Sequence, residues 1–437
     1  MTKTLNKACL GAAVSGAALL GSLAIATTAH ASGFQLREVS GSLQGSSYAG
    51  MATQSDDASQ IFFNPGNVGQ IKNSTYSVGG SLVMPNVKLK SGTASSGTLT
   101  TAPLAGGVQN ATYGDMGQDA FVPNAHAVWT LTDQLNFGIS LTSPWGLVTD
   151  YESDFAGRFF GTTSSIKTTN VKPVLAYRFD NGLSIGAGAQ LQYMDARLAK
   201  AVGYGSGEGN GDVTGNDLAA GWTAGMNWEI MPGTRLGASY VSDITHNLKG
   251  DIKFDSAAQA GGYRNQSATA EVTTPEYVTF GIAQDVGEKW TVMADGQWTN
   301  WNSINVLQFN YGGDTNVNFP GSQSSSADVY NWGSSWFASL GAKYRYDENW
   351  TFRGGVAYDE TPISDEHRSV RIPDSNRYWV SLGTTYKAAD WADISLGYTH
   401  IFAHAAKVNL SDSNVGSFTG NYESKVDIIA LQAKFQF

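Results

Sequence analysis

Six histidines and one cysteine are the scarce reactive side chains of this 437-residue chain. His30 and Cys9 fall in a leader-like segment, which leaves His126, His246, His367, His400 and His404. Zinc needs His, Cys or carboxylate ligands converging on one point. His400 and His404 are four apart, but in a strand or loop context and not on a helix face, so a solvated loop is the plainer reading. His126 stands beside Asn124 on the polar face of an alternating stretch. A hydrogen bond is expected of it there, since a catalytic triad needs a nucleophile held against an oriented His. Gly205, Gly207, Gly209 and Gly211 lack a following Lys-Ser or Lys-Thr and make no phosphate loop. No cofactor is indicated, and a net charge of −10 points away from nucleic acid.

The elements that must position these residues are read from alternation. Asn124–Leu131 and Leu135–Thr142 alternate on either side of a short polar turn, and Val171–Phe179 and Leu183–Tyr193 do so around Asp180-Asn181-Gly182. The same holds for Trp222–Ile230 with Leu236–Tyr240, Val278–Ile282 with Trp290–Trp298, Trp336–Tyr346 with Trp350–Tyr358, and Tyr378–Tyr386 with Ala392–Tyr398. Each segment sends apolar side chains one way and small or polar ones the other. With Ser74–Lys90 before them and Ile428–Phe437 after, the total is about fourteen strands, an even number as in bacterial outer-membrane barrels.

Composition agrees. The chain has 51 Gly, 11 Pro, 11% aromatic and 15% charged residues. Beyond the leader no apolar run is long enough for a spanning helix, which leaves the closed barrel as the way to cross a bilayer. A soluble β-sandwich or propeller would share the alternation. It would not share the contrast between short turns and long polar connections at Ser91–Gly117, Ser143–Thr168, Asp195–Asn216, Ser242–Pro275, Thr299–Asp328, Asp359–Asn376 and Thr399–Lys425. Trp228, Trp290, Trp350, Tyr346 and Tyr398 flank turns or strand ends and suit interfacial girdles. The last strand is expected to pair with the first, because an open edge is not tolerated in lipid. Outward cations cost about 2–4 kcal/mol each at mid-bilayer. Arg178, Arg235, Lys343, Arg345 and Arg353 are therefore expected to face the lumen. One or two would meet a ligand carboxylate, and the rest would offset lumen acids such as Glu229 and Asp295.

Lys3 and Lys7, the apolar run Ala8–Ala26 and Ala29-His30-Ala31 read as a secretory signal peptide over 1–31, cut after Ala31. Residues 32–73 do not alternate. They contain the turn Asn64-Pro65-Gly66, and Phe34, Leu36, Ile61, Phe62, Phe63, Val68 and Ile71 need burial. A plug or hatch over 32–73 inside a barrel over 74–437 satisfies that need.

Longer stretches carry a resemblance. "SGFQLREVSGSLQGSSYAG", "DDAS" and "FFNPG" near the start, "VPNAHAV" and "TSPWGL" further on, and "WTFRGGVAYDETPISDEHRSVRIPDSNRYWVSLGTTY" from Trp350 to Tyr386 resemble the FadL/TodX (OmpP1-like) family of outer-membrane transporters for long-chain fatty acids and other hydrophobic compounds. The resemblance implies a fourteen-stranded barrel with an N-terminal hatch, in the bacterial outer membrane. It implies passive uptake of long-chain fatty acids or similar molecules, by a hatch change and lateral exit through the wall. By that resemblance the block holding Arg368, Arg371 and Arg377 helps shape the ligand site. Arg197 and Lys200 stand nearest the basic residue late in the fifth strand that meets a carboxylate. Phe34 and Arg353 complete the expected ligand set. Pro144 and Gly146 mark a kink in the third strand, with Asn64-Pro65-Gly66 as its partner in the hatch. Gly66 stands where the family usually has Ala, and Gln308 replaces a basic position. The glycine-rich connection 195–216 suggests a reduced outer helical groove. Outer-membrane lipid and lipopolysaccharide are the expected surroundings of a monomer. Aromatic-hydrocarbon uptake is the same-class alternative. An outer-membrane hydrolase, adhesin or phage-receptor barrel is the different-class one, and a hydrolase would show ester or peptide cleavage by purified protein.

Overall fold

Along the fifth wall strand Ile185, Leu191 and Tyr193 are exposed whereas Ser184, Gln190 and Gln192 are buried, as two-residue alternation requires. The computed structural model describes residues 33–98, 107–108, 110–205, 207–312 and 325–437; the leader expected at 1–31 lies outside them. Fourteen wall strands follow one another in antiparallel order. They are β1 (Thr75–Ser96), β2 (Ala120–Thr130), β3 (Leu135–Thr142, resuming at Gly146–Asp150), β4 (Thr163–Arg178), β5 (Leu183–Tyr204), β6 (Gly207–Met231) and β7 (Thr234–Val241 with Ile244–Phe254). Then come β8 (Gln266–Thr274 with Tyr277–Val286), β9 (Trp290–Thr299 with Val306–Tyr311), β10 (Ser325–Val329 with Ser335–Arg345), β11 (Trp350–Asp359), β12 (Arg377–Ala389), β13 (Ala392–Ala403 with Ala406–Asp412) and β14 (Gly416–Gln436). The wall closes where β1 pairs with β14 from Thr75–Gln436 to Ser96–Gly416. Among the described residues no helix is long and apolar enough to cross a membrane.

The connection expected at 195–216 is ladder instead. Asp195 pairs with Asn216, and pairing continues to Tyr204–Gly207. Alternation persists there beneath the glycines, and two long strands pairing with each other tolerate residues that would weaken one strand alone. An extended hairpin therefore stands where a reduced helical groove was expected. The connection 242–275 likewise holds the upper halves of β7 and β8, joined through a short helix, α1 (Ser256–Ala260).

Outward residues such as Leu82, Leu175, Leu340, Leu382 and Leu431 are exposed, which suits a lipid-facing belt. The hydrophobic core lies inside. Leu36, Val39, Leu43, Tyr48, Met51, Phe62 and Phe63 of the inner segment 33–73 pack against inward Val83, Val122, Phe337, Trp379 and Ile428. That segment is built from short pieces because its caps come every few residues. Ser40 caps Gly41–Gln44, Asp57 and Gln60 form a capping box at Ala58–Ile61, and Asn64 with Pro65 starts Pro65–Gln70. Its polar backbone is matched by polar wall side chains, as buried polar groups require. The Gly41 amide donates to Gln432 (2.7 Å), the Ala52 amide to Asp295 (2.8 Å) and Asn136 to the Val68 carbonyl (2.7 Å). His126 meets the Val39 carbonyl at 3.1 Å, the hydrogen-bonding role expected of it.

Asn64 Nδ2 donates to the Ala52 and Met226 carbonyls, fixing the turn against β6. A Cβ on Gly66 would lie 2.5 Å from the Met226 carbonyl carbon. Gly66→Ala is therefore expected to destabilise docking of the inner segment by about 1–3 kcal/mol, the range for overpacking. Limited proteolysis of residues 33–73 in the folded barrel checks this.

Candidate ligand pocket

Pro144 has no amide hydrogen, and the β3–β4 ladder breaks around it. Thr142 pairs with Asn170 and Gly146 with Lys167, so residues 143–145 bulge over a span that 168–169 cover on β4. The Thr168 hydroxyl accepts from the Trp145 amide (3.0 Å) and donates to the Trp145 carbonyl (2.7 Å). The Leu36 amide donates to the Pro144 carbonyl and the Gly146 amide to the Phe34 carbonyl, both at 2.8 Å. Residues 34–36 thus form a short inner strand against the break, with Gln35 opposite Trp145. On its other edge β3 parts from β2. Their ladder stops at Ala125–Leu141, and the next bridge is Gly117–Thr149. No ladder pair among the described residues joins 118–124 to 142–148. The wall's backbone ladder is interrupted here, and the Pro144 carbonyl and Gly146 amide are paired by the inner segment instead.

The tip of that segment sits in an aromatic cage. The Phe34 ring lies 5.0 Å from Trp301, 5.6 Å from Trp145 and 6.0 Å from Trp332. Gly33, at φ +60°, lies flat against Trp301, and a Cβ there would be 2.7 Å from the indole. The Gly33 amide donates to Asp374 (2.9 Å), which also accepts from the Thr361 hydroxyl (2.7 Å) and from Arg377. Beside the cage is a cavity of about 130 Å³, lined mainly by apolar side chains such as Leu147, Ile166, Met194, Leu248 and Ile304. Its charged linings are Arg197, Glu271 and Arg371. Arg371 is buried; its Nη1 donates to the Thr163 carbonyl (3.0 Å), Ser164 Oγ (3.1 Å) and the Ala199 carbonyl (3.2 Å). Its Nε lies 3.9 Å from Asp328 and makes no hydrogen bond. An apolar molecule with an anionic head fits such an arrangement, the head drawn to the Arg371 guanidinium.

Of the residues singled out in the sequence, Phe34, Arg197 and Arg371 border this cavity. Arg197 is half-exposed and engages Asp212 through Nε (2.9 Å) and Nη2 (2.7 Å). Lys200 lies further along β5 and does not line the cavity. Arg377 is buried against Asp374 and supports the residue that holds Gly33. Arg353 faces a separate chamber at the short-turn end of the barrel. Pro144 and Gly146 lie at the wall break, but their partners are Leu36 and Phe34. Asn64, Pro65 and Gly66 pack on β5 and β6 instead. Trp301 lay inside an expected polar connection; only the spacing of Trp298 and Trp301 could have marked it. His400 bonds Asp427 (2.7 Å), and among the described residues no metal-ligating cluster of three forms.

Arg37 continues the inner strand. Its guanidinium donates to Gln297 (2.8 Å) and Gln35 (3.1 Å), lies 3.6 Å from Asp359 and covers the Phe337 ring at 4.2 Å. Burial pushes the neighbouring Glu38 carboxyl up to about 7, against the pull of backbone amides and Arg37. Between 4.5 and about 7 a freed Glu38 loses its proton while the docked one keeps it. Docking is therefore strongest below that window and weakens by about 3 kcal/mol as pH rises through it. Hydrogen exchange over residues 33–40 should be slower at about pH 5 than at about pH 8, and Glu38→Gln should reduce the difference.

The family model for outer membrane protein transport proteins (OMPP1/FadL/TodX) matches residues 22–437. The chain belongs to this family. It is 29% identical to the long-chain fatty acid transport protein of Escherichia coli K12, over 88% of this chain and 91% of that one. It is 26% identical to outer membrane protein P1 of Haemophilus influenzae, over 94% and 96%. Among solved structures, a Pseudomonas aeruginosa FadL homologue superposes with a TM-score of 0.82 at 22% identity, over 92% of this chain and 99% of that one. The Ralstonia pickettii toluene transporter TbuX superposes at 0.66 with 19% identity, over the same shares. This FadL/TodX-family chain is thus an outer-membrane β-barrel of a transporter family.

Proposed function

We propose that this protein carries long-chain fatty acids or similar hydrophobic molecules passively across the outer membrane. The ligand occupies the cavity beside Phe34, with its head toward Arg371. Residues 32–73 act as the hatch, and withdrawal of its tip from β3 frees a lateral exit. This reading is supported by one short stretch, Phe34–Leu36, which both borders the apolar cavity and covers the ladder break beside Pro144. Each buried CH₂ is worth about 0.8 kcal/mol, so a fixed pocket would retain a long acyl chain. A hatch that both completes the pocket and opens the wall couples release to exit. The protein works as a monomer among outer-membrane lipid and lipopolysaccharide, since one closed barrel contains the whole route.

Arg371→Met is expected to weaken oleate binding by about 1.5–3 kcal/mol, the range for hydrogen bonds to charged groups. Oleyl alcohol should lose much less, and Arg197→Ala should cost either ligand under about 1 kcal/mol because that exposed cation already has Asp212. Equilibrium binding to the purified barrel checks all three, and equal losses for acid and alcohol on Arg371→Met would remove the carboxylate site. One observation favours monoaromatic hydrocarbons as a second reading. The cavity of about 130 Å³ is close to the ~150 Å³ that admits benzene in an engineered core. A long acyl chain must therefore extend through the open side of the cavity. Competition between toluene and oleate for the same site separates the two readings.

A further inference from the structure

A second chamber, of about 230 Å³, lies between the hatch and the short-turn, periplasmic ends of β9 to β14. Five cations face it: Lys289, Lys343, Arg345, Arg353 and Lys434. The acids around it are unequal to them. Asp393 pairs with Lys434 at 2.6 Å. Asp57 is already engaged, accepting from the Ser59 amide and the Ser77 hydroxyl of β1 (both 2.8 Å) and from Gln432 of β14. That leaves Asp56, whose carboxylate lies 3.1 Å from Lys343 and 4.0 Å from Arg353. Lys289 donates only to the Tyr346 carbonyl (3.0 Å), and Arg345 has no side-chain partner among the described residues.

We propose that this chamber is a binding site for a small oxyanion of the phosphate class, which meets Lys343, Arg345 and Arg353 in the place that Asp56 now holds. Several cations converging in a confined, partly screened space attract anions more strongly than the same charges on an open surface. Arginine in particular presents paired donors that match oxyanion geometry. The lining is more polar than apolar, unlike that of the cavity beside Phe34, so it suits a hydrated anion and not an acyl tail. The carboxylate of a released acid offers the same head-group chemistry from a different source.

The test uses the full barrel in detergent at low ionic strength, titrated with inorganic phosphate by calorimetry. Saturable binding near one site per chain is expected. Asp56→Asn removes the competing carboxylate and should tighten it about threefold or more. Lys343→Met with Arg345→Ala should weaken it about tenfold or more. Asp347→Asn, an exposed acid on the neighbouring turn, controls for bulk electrostatics and should change little. Heat-modifiable migration on gels establishes that each variant is folded. Absence of saturable binding in both the native protein and Asp56→Asn, or equal effects of Asp56→Asn and Asp347→Asn, overturns the proposal. Octanoate that displaces phosphate with the same dependence on these variants supports the site with an acid's carboxylate as its source. Failure of octanoate to compete supports it with a free inorganic oxyanion.

Discussion

Trp301→Ala is expected to abolish uptake while leaving the barrel closed. The indole is fully buried and packs against Gly33, Phe34, Trp145 and Trp332. Truncating a buried Trp costs about 3–5 kcal/mol through lost contacts and the space left behind. The loss falls on the hatch tip and not on the wall, because the ladder beside it is held by backbone hydrogen bonds that the substitution leaves intact. Phe34–Leu36 then no longer docks against Pro144, and the cavity loses the wall that Phe34 supplies. Binding of oleate and of toluene should fall together, in contrast to the acid-selective effect of Arg371→Met. Heat-modifiable migration and proteolytic sensitivity near residue 34 separate a folded barrel with a loose tip from a misfolded one. Native affinity in a variant with a protease-sensitive tip would detach the cavity from the cage.

The barrel was legible because lipid imposes a strict alternation: Ile185, Leu191 and Tyr193 on one face and Gln190 and Gln192 on the other can be read without a structure. Pro144 was legible as a break because a missing amide hydrogen acts locally. What closes that break was not. The contact of Leu36 with Pro144 joins residues more than a hundred positions apart, and no local pattern in "GFQLRE" distinguishes it from the equally turn-like Asn64-Pro65-Gly66, which docks on β6. The glycine at 66 carries a clue in hindsight, since only close approach to Met226 makes an alanine costly there. Cation roles were blurred for a related reason. Alternation says which face Arg353 occupies, but only the fold shows that it faces Asp56 and not the apolar cavity. Arg197 and Arg371 look alike in sequence, yet Asp212 occupies the first through two close contacts while the second, buried beside the cavity, meets Asp328 only at 3.9 Å. The glycine-rich stretch 195–216 was misread as a loop because composition outweighed its alternation.

In the proposed route a ligand exits only after residues 34–36 leave the β3 break. Gln35 and Trp145 face each other as a non-hydrogen-bonded antiparallel pair, flanked by the Leu36–Pro144 and Gly146–Phe34 bonds. Such pairs bring Cα atoms to about 4.5 Å, within the range that a disulfide spans. The chain's one cysteine, Cys9, falls in the expected leader, so Gln35→Cys with Trp145→Cys introduces a single cross-link. The decisive measurement is uptake of labelled oleate by cells carrying this double variant, before and after mild reduction, with cross-linking scored on gels. Trp145→Cys alone, which already removes one cage indole, sets the reference for uptake and oleate binding. Relative to it, uptake should fall about tenfold or more in the oxidised double variant and return on reduction, with oleate binding the same in the two states. Equal uptake in the two states, with the disulfide demonstrably formed, would contradict it.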